Sequence, residues 1–89
     1  MAWKVEVTEL ALKQLKKMGQ SEGRMITQYL RKRIEPLDDP RQLGKSLKGE
    51  LSNLWRYRVG DYRLICEINE NELIVLVVRV GHRKGIYGK

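Results

Sequence analysis

The dipeptide Gly60-Asp61 constrains this chain more than any other feature. It stands between two segments that alternate apolar and polar residues, Leu54–Val59 and residues 62–68. A two-residue connection with glycine in first place suits a type II′ turn, whose twist matches that of an antiparallel hairpin. A turn that short fixes the pairing register. Val59 then faces Tyr62, and Arg58 faces Arg63. Side chains alternate across a strand. Trp55, Tyr57 and Val59 therefore share a face with Tyr62, Leu64, Cys66 and Ile68, while Leu54, Arg56 and Arg58 share the other with Arg63, Ile65 and Glu67.

The remaining elements follow from periodicity. Residues 3–7 alternate Trp3, Val5 and Val7 with Lys4 and Glu6, the pattern of a half-buried strand. Thr8 offers a helix N-cap and Glu9 a favourable charge in the first turn. Ala11, Leu15 and Met18 lie on one face of a helix over residues 10–18, and Gly19 stops it. Ser21 is placed to cap a second helix with the apolar stripe Met25, Ile26, Tyr29, Leu30 and Ile34, and with Arg31, Lys32 and Arg33 largely outward. Pro36 ends it by disfavouring helical geometry at Glu35. Residues 38–53 read as an irregular basic connection, and Asp38-Asp39 ahead of Pro40 as turn chemistry. A last strand covers residues 73–80 after the turn Asn69-Glu70-Asn71-Glu72. Its nearly unbroken apolar run suits a central strand covered on both faces. The expected fold is α+β, in the order β-α-α-β-β-β, with a two-helix hairpin packed on one face of a largely antiparallel four-stranded sheet.

The chain has 89 residues, enough for one core, so residues 1–89 form one domain. One cysteine, Cys66, permits no internal disulfide and fits a reducing compartment. It falls on the core face and is expected to be inert. The N-terminus has no signal-peptide pattern, and the longest apolar run, residues 73–78, is too short for a membrane span. A cytoplasmic protein is expected. One cysteine and one histidine cannot build a zinc site, and no phosphate-cradling glycine loop, dinucleotide fingerprint or Ser-His-Asp order is present. No metal or cofactor is expected.

Eighteen Lys and Arg against eleven Asp and Glu leave a net charge of +7. Such an excess suggests a polyanionic partner, although solubility alone would also explain it. Position decides more than number. Arg58 opposite Arg63, with Arg56 beside them, opposes folding, because like charges facing each other on a sheet are destabilising. Glu67 or Glu50 neutralises them, or their long stems simply reach water, or they form an anion site in which guanidinium groups bind phosphate oxygens in pairs. Arg41, Lys45 and Lys48 in the connection and Lys84 in the tail add basic contacts for a nucleic acid. Tyr87 either stacks on a base or tucks against the sheet edge. His82 reads first as an ordinary surface histidine.

Residues 43–65, Leu-Gly-Lys-Ser-Leu-Lys-Gly-Glu-Leu-Ser-Asn-Leu-Trp-Arg-Tyr-Arg-Val-Gly-Asp-Tyr-Arg-Leu-Ile, closely resemble the RelE family of bacterial toxins. So do the ending Val80-Gly81-His82-Arg83-Lys84-Gly85-Ile86-Tyr87 and the helix start Ala11-Leu12-Lys13-Gln14-Leu15. The resemblance implies the same element order. It further implies a toxin of a toxin–antitoxin pair: a metal-independent endoribonuclease that cleaves mRNA in the ribosomal A site and so inhibits translation. The RNA 2′-hydroxyl attacks the adjacent phosphate, leaving a 2′,3′-cyclic phosphate and a 5′-hydroxyl. By motif position Arg63 resembles the arginine that stabilises the transition state, Arg83 the arginine near the leaving oxygen, and Tyr87 the tyrosine that orients the base. Arg56 and Arg58 stand where well-studied members carry lysines. Arginine is a poor candidate for a base, which draws attention to His82, because histidine exchanges protons near neutral pH. The implied partners are the ribosome, mRNA and a cognate RelB-like antitoxin, acidic and partly disordered. Two other functions fit the same fold: a ParE-like inhibitor of DNA gyrase, and a non-catalytic RNA- or ribosome-binding module.

Overall fold

The hairpin adopts the register that its turn dictates. In the computed structural model, which describes residues 3–47 and 54–82, β3 (Leu54–Val59) and β4 (Tyr62–Asn69) pair antiparallel, following β1 (Lys4–Val7), α1 (Glu9–Lys17), α2 (Gln20–Tyr29) and β2 (Lys45–Ser46) and preceding β5 (Ile74–His82). Val59 faces Tyr62 and Arg58 faces Arg63. Gly60 has a φ of 60° and Asp61 stays at negative φ. Positive φ at the first central residue alone is the requirement of a type II′ turn.

The α+β class is as expected, with both helices packed on one face of the sheet. The sheet has five strands rather than four, ordered β1-β5-β4-β3-β2, with β1 parallel to β5 and the other pairs antiparallel. β5 is interior, as its apolar run suggested. The added strand is β2, in the segment read as irregular, where Lys45 pairs with Arg56 and Ser46 with Trp55. Two residues are too few for alternation to register. Close approach is what builds this strand. Gly44 has a φ of 77°, and a Cβ there would run into the Arg56 carbonyl and the Trp55 indole. The Trp55 Nε1–H donates to the Leu43 carbonyl at 2.7 Å and holds the segment down.

Thr8 caps α1 by accepting from the Ala11 N–H at 3.2 Å. Gly19, not Ser21, is the N-cap of α2, and it makes no side-chain bond. The helices are only two residues apart, so one glycine both ends the first and begins the second, and Ser21 falls within the first turn. Met25 stands at the edge of the expected stripe and is exposed, whereas Ile26, Leu30 and Ile34 are buried. α2 runs on into a widened π turn over Leu30–Ile34. Glu35 remains helical (φ −59°, ψ −37°) despite the proline after it, because its N–H reaches back five residues to the Leu30 carbonyl at 3.0 Å. From there its carboxylate accepts the Val5 N–H at 3.1 Å, occupying a donor on the edge of β1.

The core joins Ala11, Leu15, Ile26, Leu30 and Ile34 to Tyr57, Val59, Leu64, Cys66, Val75, Val77 and Val80. Burial pushes the Cys66 thiol and the Tyr57 phenol well above their ordinary ranges, so both stay protonated and neither is a nucleophile. No helix among the described residues is long and apolar enough to cross a membrane.

Tyr57 is fully buried, and its hydroxyl donates to the Pro40 carbonyl at 2.7 Å. Tyr57→Phe should leave that carbonyl unsatisfied and cost about 1–2 kcal/mol, read as a lower urea midpoint with unchanged slope.

Candidate functional site

The sheet face opposite the helices carries the charge. Alternation along β3 and β4 puts Tyr57, Val59, Leu64 and Cys66 in the core, which leaves Arg56, Arg58 and Arg63 on the open face. β2 adds Lys45 directly beside Arg56. Lys45 and the three arginines line one cleft of about 290 Å³, closed by Tyr29, Leu43 and Gly44. Burial raises the Tyr29 phenol above its ordinary range, with the Arg33 cation opposing.

The arginines differ in setting. Arg58 is exposed, with Nε 3.5 Å from the Gly60 carbonyl. Arg63 is half-buried, and its Nε is shielded from solvent. Beside them on the same face lies a small apolar floor, with Leu47 and Ile65 buried and Leu54 and Val78 packed against them. Cations held beside a low-dielectric surface attract an anion more strongly than the same cations in water. Guanidinium groups in this arrangement can hold several oxygens of one phosphate.

The structure separates other residues from this cluster. Arg41 is not brought to it. Its Nη1 lies 2.7 Å from Glu70 and 3.7 Å from Asp39, by the turn at the end of β4 opposite to Arg63. Ion pairs with two carboxylates occupy it there. Asp39 also accepts from the Arg41 N–H at 2.9 Å, the turn chemistry expected of it. His82 pairs with Tyr62, on the side of the sheet that faces the helices, and the two rings meet edge to face at 5.7 Å. The register thus sets it on the face opposite Arg58 and Arg63. Glu67 lies on the arginine face, between Leu54 and Leu76 and away from Arg63. Lys48, Glu50, Arg83, Lys84 and Tyr87 lie outside the described residues.

One cation escaped the sequence reading. A bulge between Ile65 and Cys66 puts Arg79 opposite Ile65, on the arginine face, and leaves it exposed. Strict alternation from Val75 and Val77 would have counted Arg79 with the core, and no residue type in the strand marks the bulge.

With this geometry established, comparison with known proteins is specific. The family model for the ParE toxin of the type II toxin-antitoxin system, parDE, matches residues 5–87. Toxin RelG of Mycobacterium tuberculosis is 39% identical over 49 residues, which is 55% of this chain and 56% of RelG. The match therefore spans only about half the length of that curated relative. Among solved structures, the M. tuberculosis toxin–antitoxin complex RelBE2 matches with a TM-score of 0.84 and 26% identity, over 93% of this chain and 100% of that one. The RelE–RelB complex of Pyrococcus horikoshii matches with a TM-score of 0.70 and 24% identity, over 96% and 99%. The RelBE complex of E. coli matches at 0.70 and 22%, over 91% and 96%. These last two matches speak for the fold alone.

The Arg58–Arg63 pairing has a consequence for stability. Arg58→Gln removes one of two like charges facing each other and should stabilise the domain by up to about 1 kcal/mol at low ionic strength. The gain should shrink as salt screens the pair, which denaturation at two salt concentrations will show.

Proposed function

Because this chain belongs to the ParE toxin family of type II toxin–antitoxin systems, within the RelE/ParE superfamily, we propose that it is the toxin of such a pair and acts as a ribosome-dependent mRNA endoribonuclease. The observation that carries this reading is the cation cluster. Arg58 is held opposite Arg63, with Arg56 and Lys45 adjoining, a pairing of like charges that costs the sheet some stability and that a bound anion would relieve.

In the proposed reaction the 2′-hydroxyl oxygen attacks the adjacent phosphorus. The bond from phosphorus to the 5′-oxygen breaks, the 2′-hydroxyl loses its proton and the departing 5′-oxygen gains one. Negative charge grows on the non-bridging oxygens at the transition state. Arg63, half-buried and anchored on an interior strand, supports the role of stabilising that charge, and Arg58 and Arg56 add to it. No reorganisation is needed, because β3 and β4 already hold all three on one face. By resemblance Arg83 acts near the leaving oxygen and Tyr87 stacks on the base. Lys45, Lys48, Lys84 and Arg41 were expected to bind RNA, and of the two among the described residues, Lys45 lines the cleft and Arg41 does not. An acidic, partly disordered antitoxin would neutralise the same basic surface.

Arginine keeps its proton, so the three arginines supply stabilisation rather than a base. The 2′-hydroxyl proton then goes to another group or to solvent, and the register, which sets His82 on the opposite face of the sheet, weighs against His82. A His82→Gln variant with a shifted pH–rate profile would assign the transfer to His82 all the same, and an unchanged profile removes His82 from the reaction.

The family description names ParE, which supports gyrase inhibition as a second reading. Mapping mRNA 5′ ends in a translating extract separates the two. New 5′-hydroxyl ends dependent on the protein support the nuclease. DNA-damage signalling with intact mRNA supports the gyrase inhibitor, and binding without new ends supports a non-catalytic module. On the nuclease reading, Arg63→Ala or Arg83→Ala abolishes growth inhibition while circular dichroism shows the fold retained. A folded double variant that remains fully toxic would overturn it.

A further inference from the structure

The bulge in β5 decides where Arg79 goes. Val77 faces Cys66. An uninterrupted ladder would continue with Val78 facing Ile65 and Arg79 facing Leu64, which is fully buried beneath the helices. The observed register instead has Arg79 opposite Ile65 and Val80 opposite Leu64. One inserted residue turns Val80 into the core and Arg79 out to the open face, a common use of a bulge. Helix α1 accommodates the insertion. Gln14 Oε1 accepts the Val80 N–H at 2.7 Å, and the Thr8 hydroxyl reaches the Val78 carbonyl at 3.4 Å.

The register then aligns Lys45, Arg56, Ile65 and Arg79 in one row across four strands. Three strand separations of ~4.8 Å give the row a backbone span of about 14 Å. A second row, Arg58 and Arg63 followed by Gly81, runs beside it. A stacked nucleic-acid strand carries a phosphate every ~3.4 Å of rise, so the first row is long enough to meet several phosphates. Arg79 lies two strands beyond Arg56, outside the cleft formed around β2 and β3.

We propose that Arg79 binds a phosphate flanking the scissile one, so that a single RNA strand crosses the sheet roughly perpendicular to its strands, from Lys45 to Arg79. The proposal rests on the reading of this face as an RNA site. An extended acidic peptide is the competing occupant, but such a peptide gains affinity by adding to a free strand edge. β5 offers none beside Arg79: β4 pairs one edge, and Thr8 and Gln14 occupy the other beyond the end of β1. A chain that carries its charge on its own backbone needs no edge.

The test uses the full chain and a labelled 2′-O-methyl RNA, which lacks the attacking hydroxyl and reports binding alone. Fluorescence anisotropy is followed over a range of salt concentrations. Arg79→Gln should flatten the plot of log affinity against log salt by about 0.7, one phosphate contact on a single strand. Arg31→Gln removes an equal charge from an exposed position on the helical layer and should leave the slope unchanged. In the cleavage assay Arg79→Gln should raise KM with little change in kcat. Failure of the wild type to bind, an unchanged slope for Arg79→Gln, or an equal flattening by Arg31→Gln would each overturn the proposal. So would weakened binding of poly-glutamate with RNA binding unaffected, which would favour an acidic protein partner. Absence of mRNA cleavage alongside the expected slope change would remove the nuclease reading and leave the RNA path standing.

Discussion

A two-residue turn controls most of what this domain can do. Gly60 and Asp61 leave the hairpin a single register, and in a strand a shift of one residue exchanges the two faces. The same constraint that sends Tyr57, Val59, Leu64 and Cys66 under the helices therefore sends Arg56, Arg58 and Arg63 to the other side. Core and charge are not separate designs. Moving the arginines apart by re-registering the hairpin would expose the largest buried side chains of the sheet. The repulsion between Arg58 and Arg63 is worth at most about 1 kcal/mol, well below the 2–5 kcal/mol typical of losing even one large core side chain, so the register wins.

β3 is the strand through which the site is made rigid. Its core-facing residues also anchor the segment that completes the cleft. Tyr57 bonds the Pro40 carbonyl, and Trp55 bonds the Leu43 carbonyl. Gly44 lets the backbone between Leu43 and Lys45 approach so closely that no side chain would fit. Lys45 is thereby fixed beside Arg56, rather than carried on a free loop. Each cation of the cleft thus sits on a hydrogen-bonded strand, which is the arrangement that lets charge stabilise a transition state without first being reordered.

The chemistry available on this face is correspondingly narrow. Cys66 and Tyr57 are buried, and burial holds both in their protonated forms. His82 stands against Tyr62 on the helix side of the sheet. Among the described residues, the arginine face carries Arg56, Arg58, Arg63 and Arg79, which keep their protons, together with Lys45, Glu67 and a few apolar side chains. Guanidinium groups of this kind suit an anionic ligand with several oxygens, the chemistry on which the proposed function draws.

Much of this was legible in the residues alone. Alternation and one turn signal were enough for the hairpin, its register and the Arg58–Arg63 pair, because those depend on neighbours within a dozen residues. The cap at Thr8 and the interior position of β5 follow from equally local patterns. Other features depend on contacts between distant segments. β2 exists only because Gly44 lets its segment lie against β3. Glu35 stays helical beside a proline through a five-residue bond and then reaches across to β1. Arg41, one more basic residue in the sequence, is drawn to Glu70 by the way the chain returns past the end of β4. Arg79 shows the limit most clearly. Its identity was plain, but its face was decided by a bulge that opposes one residue to two, and that choice is made by the packing of Val80 and the reach of Gln14, not by anything in the order of residues along β5.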